Sequence, residues 1–192
     1  MTWLIAGLAV FLVPHSLGLV APEWRSRQVA RLGERPWKGL YSLFSLAGLI
    51  LIIWGYGHAR ATPVVVWTPP TWGRHAAALL VVVAFVLVAA AYVPRTKIKA
   101  ALGHPMTAGV ALWALAHLLA NGTLRGVVLF GAFLVWALVT FVIRRSRDAR
   151  SGVTYPPGSL AKDATAVIAG VVVSVGFALF LHGPLIGVRP FG

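Results

Sequence analysis

Chemistry in this chain falls to its histidines. There are six of them, at positions 15, 58, 75, 104, 117 and 182, with no cysteine and only four acidic residues. The residues around them in stretch 103–122, GHPMTAGVALWALAHLLANG, are apolar and small, and the stretch carries His104 at its start and His117 near its end. As a helix rising 1.5 Å per residue, thirteen steps separate the two histidines by roughly 20 Å along the axis and about 140° around it. One lies near each end, and the two cannot share a metal. His117 falls on a stripe with Met106, Val110 and Trp113. A histidine inside an apolar, lipid-embedded helix is a functional-site candidate by default, because its polar atoms need partners that lipid does not supply.

The other histidines divide by position. His58, His75 and His182 fall at the ends of apolar runs, where a solvated interfacial imidazole is the plain reading. His15 follows Pro14 within the first apolar run, where bonding to a backbone carbonyl is the alternative to a ligand role. His104 precedes Pro105 and suits a helix start as well as a ligand. Competing chemistries are missing: no HExxH, no Gly-rich phosphate loop, no paired intramembrane carboxylates and no Ser-His-Asp arrangement. Few carboxylates and no thiolates disfavour hard or thiolate-bound metals. Neutral imidazole in an apolar, aromatic-lined bundle suits haem iron.

The elements that must position these residues are apolar helices. The chain of 192 residues is 59% hydrophobic and 11% charged, with mean hydropathy +0.84. Runs such as 76–93 and 126–143 are long enough to span a bilayer. The reading is an all-α, polytopic integral membrane protein, a bundle of about six transmembrane helices at about 2–21, 38–57, 73–93, 104–121, 124–143 and 163–182. The N-terminus lacks a charged n-region and a clean cleavage site, so it reads as a retained first span.

Charge sets an orientation. Thirteen of the seventeen basic residues fall in the first, third and fifth connections: Arg25, Arg27, Arg31, Arg35 and Lys38; Arg95, Lys97 and Lys99; Arg144, Arg145, Arg147, Arg150 and Lys162. Arg60, Arg74, Arg125 and Arg189 lie on the other side, while all four acids, Glu23, Glu34, Asp148 and Asp163, fall on the basic side. The positive-inside rule places the odd connections in the cytoplasm and both termini in the periplasm of a bacterial inner membrane. The high pI of about 11.7 is then topology and lipid attraction, not nucleic-acid binding. A short interfacial helix is predicted around 26–32. Residues 62–72, TPVVVWTPPTW, are too Pro-rich for helix and read as an interfacial aromatic belt, with a lid over a site as the alternative. Ala166, Gly170, Ser174 and Ala178 form a small-residue stripe for close helix packing.

Stretches along most of the chain carry a family resemblance: His15-Ser16, WKGLYSL at 37–43, IIWGYGHAR at 52–60, WTPPTW at 67–72, HPMTAGVALWALAHLLANG at 104–122, LFG at 129–131 and HGPLIGV at 182–188. The chain resembles the NnrU family of denitrification-associated membrane proteins, and so reads as a single NnrU-like transmembrane domain over residues 1–192. That family is similar in turn to 15-cis-ζ-carotene isomerase, an integral membrane haem b enzyme that isomerises a cis double bond in a redox-dependent way. The resemblance implies a haem b iron held by His15 and His117. It also implies an apolar polyene-like or quinone-like substrate drawn from the lipid bilayer. Trp113, Met106 and Tyr41 are candidate walls of that pocket. The isomerase has a cysteine three residues before its second histidine; this chain has Ala114 there, so ligand switching by that cysteine is impossible.

Depth leaves a competing ligand pair. His15 lies about 6 Å to the cytoplasmic side of its span's centre and His117 a similar distance to the outer side. His104 is nearer to His15 in depth, so His15–His104 stands beside His15–His117. A non-catalytic partner or assembly factor for respiratory nitrite or nitric oxide reductases is the alternative function. A transporter is disfavoured by the missing intramembrane carboxylate and inverted repeat.

Overall fold

The computed structural model describes residues 1–190, and they are overwhelmingly helical. The helices are α1 (Thr2–Val20), α2 (Pro22–Leu32), α3 (Glu34–His58), α4 (Gly73–Tyr92), α5 (Lys97–Leu102), α6 (Pro105–Ala120), α7 (Leu124–Arg150) and α8 (Leu160–Gly176), then a π-helical segment Phe177–Leu181 and α9 (His182–Ile186). Five continuous helical stretches are long and apolar enough to cross a membrane: α1, α3, α4, α7 and Leu160–Ile186. This is a multi-pass membrane protein.

The sixth expected span, α6, is shorter than the other five. It has 16 residues, because Pro105 fixes its start and Asn121-Gly122 ends it. At 1.5 Å per residue it is roughly 24 Å long. In the other direction, α7 continues past the apolar run to Arg150. Its tail, RRSRDAR, contains mostly good helix formers, and its cations favour the negative end of the helix dipole. The interfacial helix expected at 26–32 forms as α2, one turn longer at its start, with Pro22 in the first position. Residues 62–72 form no helix.

Side-chain size is distributed as a lipid solvent requires. Buried positions are rich in small residues, among them Ala77, Ala84, Ala90, Ala111, Ala114, Ala116, Ala137 and Ala166. Large apolar residues such as Leu43, Val135, Ile168 and Phe180 face outward, each more than half exposed. In water this would be a large exposed apolar surface; in a bilayer it is the lipid-facing coat.

The chain divides into two compact units, residues 1–64 and 65–192. In the first, α1 and α3 pair antiparallel through glycines. A Cβ on Gly7 would lie 2.6 Å from the Ile52 nitrogen, one on Gly48 would lie 2.7 Å from the Phe11 nitrogen, and one on Gly55 would lie 2.5 Å from the Leu4 nitrogen. The backbones touch because no side chain stands between them, which is how helices gain packing energy where lipid competes for apolar contact. Trp24 of α2 meets Trp37 of α3 edge-on at 6.0 Å.

In the second unit the helices lie in the order α8, α4, α6, α7, each antiparallel to its neighbours. Gly109 of α6 abuts the Ala84 carbonyl of α4, where a Cβ would come within 2.7 Å. The small-residue stripe on α8 does face a helix: Ala166, Gly170 and Ser174 are buried, and Gly170 rests against the Val86 backbone of α4. The Pro-rich connection is pinned at the turn between α6 and α7. The amides of Val66 and Trp67 donate to the Gly122 carbonyl at 2.8 and 3.2 Å. A Cβ on Gly122 would collide with the Trp67 carbonyl oxygen, so a side chain there would displace the segment.

The glycine seam gives a direct test. Gly55→Val forces a branched side chain into backbone contact with Leu4, and overpacking of this kind costs about 1–3 kcal/mol or more. Gly57→Val, where a Cβ meets nothing within 4 Å, serves as its control. The thermal midpoint in detergent should fall for Gly55→Val and barely move for Gly57→Val; equal shifts would mean that the seam does not limit stability.

Candidate functional site

His15 projects from α1 one residue after Pro14, the proline inside that helix. Its Nδ1 lies 2.6 Å from the Phe11 carbonyl oxygen. A carbonyl only accepts, so Nδ1 carries the proton and donates, and Nε2 holds the lone pair. Phe11 stacks on the ring at 4.2 Å with 17° between planes, and Tyr41 of α3 approaches it at 4.9 Å. Tyr41 is thus beside His15.

His117 repeats the arrangement in the second unit. Its Nδ1 donates to the Trp113 carbonyl one helical turn earlier at 2.8 Å, which again leaves the lone pair on Nε2. Phe130 of α7 stacks on it at 4.5 Å and 26°, and Trp113 tilts against it at 4.9 Å. Trp113 in turn meets Phe130 and Phe133 edge-on at 5.2 and 5.5 Å. Trp113 and His117 therefore belong to one aromatic cluster. Ala114, also on α6, is fully buried.

His182, read from sequence as a solvated interfacial residue, is partly exposed, and its ring lies 6.5 Å from that of His117 and 15° from parallel, a neighbour the sequence did not reveal. Its Nδ1 donates to the Val188 carbonyl at 2.6 Å, and Phe177 stands edge-on to it at 6.0 Å. The only sequence signal is the His-Gly-Pro string, which ends a helix without revealing which way the ring faces.

His104 belongs to a different cluster at the other end of α6. It is the residue preceding Pro105, and its Nε2 lies 2.7 Å from Asp148 Oδ2 in the last turn of α7. Tyr155, in the connection between α7 and α8, donates its hydroxyl to the same carboxylate oxygen and lies 3.3 Å from His104 Nε2. Because a carboxylate accepts, Nε2 of His104 is its donor nitrogen, the reverse of His117. Gly103, at φ +72°, accommodates the Tyr155 ring, which would lie 2.8 Å from any Cβ there. Separations of 44 and 51 residues hid this cluster from sequence reasoning. Met106, one residue beyond Pro105, is 38% exposed, eleven steps and about 16 Å from His117 along α6, so the structure does not bring the two together.

His58 is exposed and stacks on Trp54 at 5.9 Å; His75 is exposed. Among the described residues no three His, Cys, Asp or Glu side chains gather as a site for a bare metal ion. His15 and His117 are the two whose Nδ1 is bonded to a carbonyl of their own helix, each beside aromatic rings.

These features define an integral membrane protein of close-packed apolar helices with tautomer-locked histidines. Residues 3–190 match the family model described as NnrU protein, and the chain belongs to the NnrU family. No curated protein and no solved structure matches it.

Burial, and then the hydrogen bond to Asp148, push the Tyr155 phenol above its ordinary pKa of 10.0. Folding therefore favours the protonated phenol. This contribution to stability is complete below pH 10 and is lost as pH rises through the higher folded-state value. A phenolate absorbance titration of wild type minus Tyr155→Phe should show one phenol ionising above 10, with wild-type stability falling faster than the variant's over that range. Parallel stability curves would detach Tyr155 from Asp148.

Proposed function

We propose that this protein binds haem b through His117 and acts on an apolar substrate from the bilayer. The observation that carries the reading is the His117 ring: its Nδ1 proton is committed to the Trp113 carbonyl, so Nε2 is the nitrogen able to bind iron. In a ligating histidine the nitrogen away from the metal commonly donates to a carbonyl, which fixes the ring's orientation and raises its basicity. His15 has the same arrangement in its own unit, through the Phe11 carbonyl. His104 has the opposite one, with Nε2 turned to Asp148, which favours His117 over His104 as the ligand.

Bound there, haem b would supply a one-electron couple or a Lewis-acidic iron. The chain supplies the rest. Phe130 and Trp113 hold the His117 ring and exclude water; Phe11 and Tyr41 do the same for His15. Such surroundings suit a polyene-like or quinone-like molecule, and the resemblance to ζ-carotene isomerase points to redox-dependent isomerisation or electron relay. Membership of the NnrU family supports a role associated with denitrification, in which a respiratory reductase is the natural partner. The basic connections support a bacterial inner-membrane location with both termini in the periplasm.

Two experiments test this reading. The purified protein should show a Soret band that sharpens and shifts on reduction. His117→Ala should remove most of it, and His104→Ala should leave it. The opposite pattern would make His104 the ligand, and a colourless wild type would leave a non-catalytic partner of the reductases as the function. For topology, reporter fusions at Arg150 and Gly192 should report opposite compartments; the same compartment for both would refute the orientation.

A further inference from the structure

At one end of the second unit, two connections distant in sequence are knitted into a node. Thr96 and Ser159 pair as an isolated parallel bridge, and the Ser159 amide donates to the Arg95 carbonyl at 3.0 Å. Gly158 lies so close that a Cβ there would collide with the Lys97 nitrogen. Thr96 is fully buried; its hydroxyl donates to the Ala90 carbonyl at 3.3 Å and accepts from the Lys99 amide at 3.0 Å. Asp163, in the first turn of α8, accepts from the Ile98 amide at 3.2 Å.

The node gathers charge of one sign. Arg95 and Lys97 flank the buried Thr96, Lys162 stands three residues beyond Ser159, and all three are exposed. The other charges beside them are committed to the frame. Lys99 gives its Nζ to the Ala91 carbonyl at 3.2 Å, and the Asp163 carboxylate takes the Ile98 amide. Like charges held together repel, and an anion among them removes the repulsion.

Arg95 carries a second, independent mark. Its φ is +59°, and among the described residues no other non-glycine has a positive φ. Glycine or asparagine adopts this conformation at least cost. Residues strained in this way persist where the surroundings hold them, and they concentrate at binding sites. The chain thus keeps a cation where the backbone alone favours glycine.

Depth identifies the anion. Tyr92, 73% exposed, ends α4, and Leu160, 71% exposed, opens α8. These two helices are neighbours, with Gly170 against the Val86 backbone. The node therefore lies where the apolar parts of two adjacent spans end. The polar layer of a bilayer extends roughly 5–7 Å beyond the hydrocarbon on each side, and lipid phosphates lie in it. Cations beside an exposed tyrosine and leucine match a ligand with an anionic head and apolar chains.

We propose that Arg95, Lys97 and Lys162 form a headgroup site for an anionic phospholipid, with its phosphate among the three cations and its acyl chains beside Tyr92 and Leu160. The site does not depend on the haem reading.

The test reconstitutes the full-length protein in phosphatidylcholine bilayers containing a minority of phosphatidylglycerol. The protein is then re-extracted in mild detergent and the ratio of the two retained lipids is measured. Wild type should retain phosphatidylglycerol well above its share. Lys97→Gln should reduce that preference about five-fold, the value of one cation near an anionic surface. Arg95→Asn with Lys97→Gln and Lys162→Gln should abolish it. Asparagine is chosen because it tolerates the left-handed backbone. Removing equal charge from the tail of α7, by Arg144→Gln, Arg145→Gln and Arg150→Gln, should leave the preference in place. Equal loss there would mean diffuse attraction and overturn the site, as would a wild type without preference or a triple variant that keeps it. If the triple variant does not fold, Lys97→Gln with Lys162→Gln decides in the same way, because the Arg95 backbone is untouched. Neither inorganic phosphate nor soluble polyglutamate should displace the retained lipid. Displacement by phosphate would make this a site for a free anion, and displacement by polyglutamate alone a site for an acidic protein; either overturns the lipid assignment.

Discussion

A polar atom inside an apolar helix bundle has to find its partner within the protein, and the shape of this molecule follows from that constraint. Helix satisfies the backbone, which is why the chain is helical nearly throughout. Side chains solve the same problem locally. Ser16 and Ser45 return their hydroxyls to carbonyls four residues back, at Leu12 and Tyr41. His15 and His117 do likewise with Nδ1. For a hydroxyl the solution is complete, because one bond places its only proton. An imidazole has a second nitrogen, and the bond that satisfies the first determines what the second can do.

Packing follows from the same solvent. Lipid offers apolar side chains as good a home as the protein does, so large residues gain little by turning inward. Glycine and alanine do gain, because they let backbones touch. Gly7, Gly48 and Gly55 join α1 to α3, while Gly109 and Gly170 fasten α6 and α8 to the two sides of α4. The rigidity this gives matters for the histidines. A ring locked to its own helix is only as well placed as that helix. Phe130 can stack on His117 because α6 and α7 run side by side from the turn at Asn121, whose Oδ1 accepts from both the amide and the hydroxyl of Thr123.

Properties carried by a single stretch of chain were legible in the sequence. Apolar runs between basic connections marked the long helices; prolines marked the segment at 62–72 as non-helical; the four-residue rhythm of Ala166, Gly170 and Ser174 marked a packing face. Properties requiring two distant stretches were not. Asp148 looked like one more acid on the basic side until the end of α7 brought it to His104. His182 sits at a helix end as its sequence position suggested; what spacing could not show is that its ring lies 6.5 Å from that of His117.

His104 and His117 illustrate why residue type alone could not choose between them. They occupy one helix, both flanked by apolar residues, and sequence spacing excluded only their acting together. The distinction lies in the acceptor each one meets. At His117 a backbone carbonyl takes the Nδ1 proton, and the outward nitrogen becomes a Lewis base. At His104 a carboxylate takes the Nε2 proton, and the residue becomes a tie between the start of α6, the end of α7 and Tyr155. The first arrangement ties a ring to its own helix, and the second uses it to hold separate elements together. One helix thus carries the same side chain in opposite tautomers, separated by the length of α6.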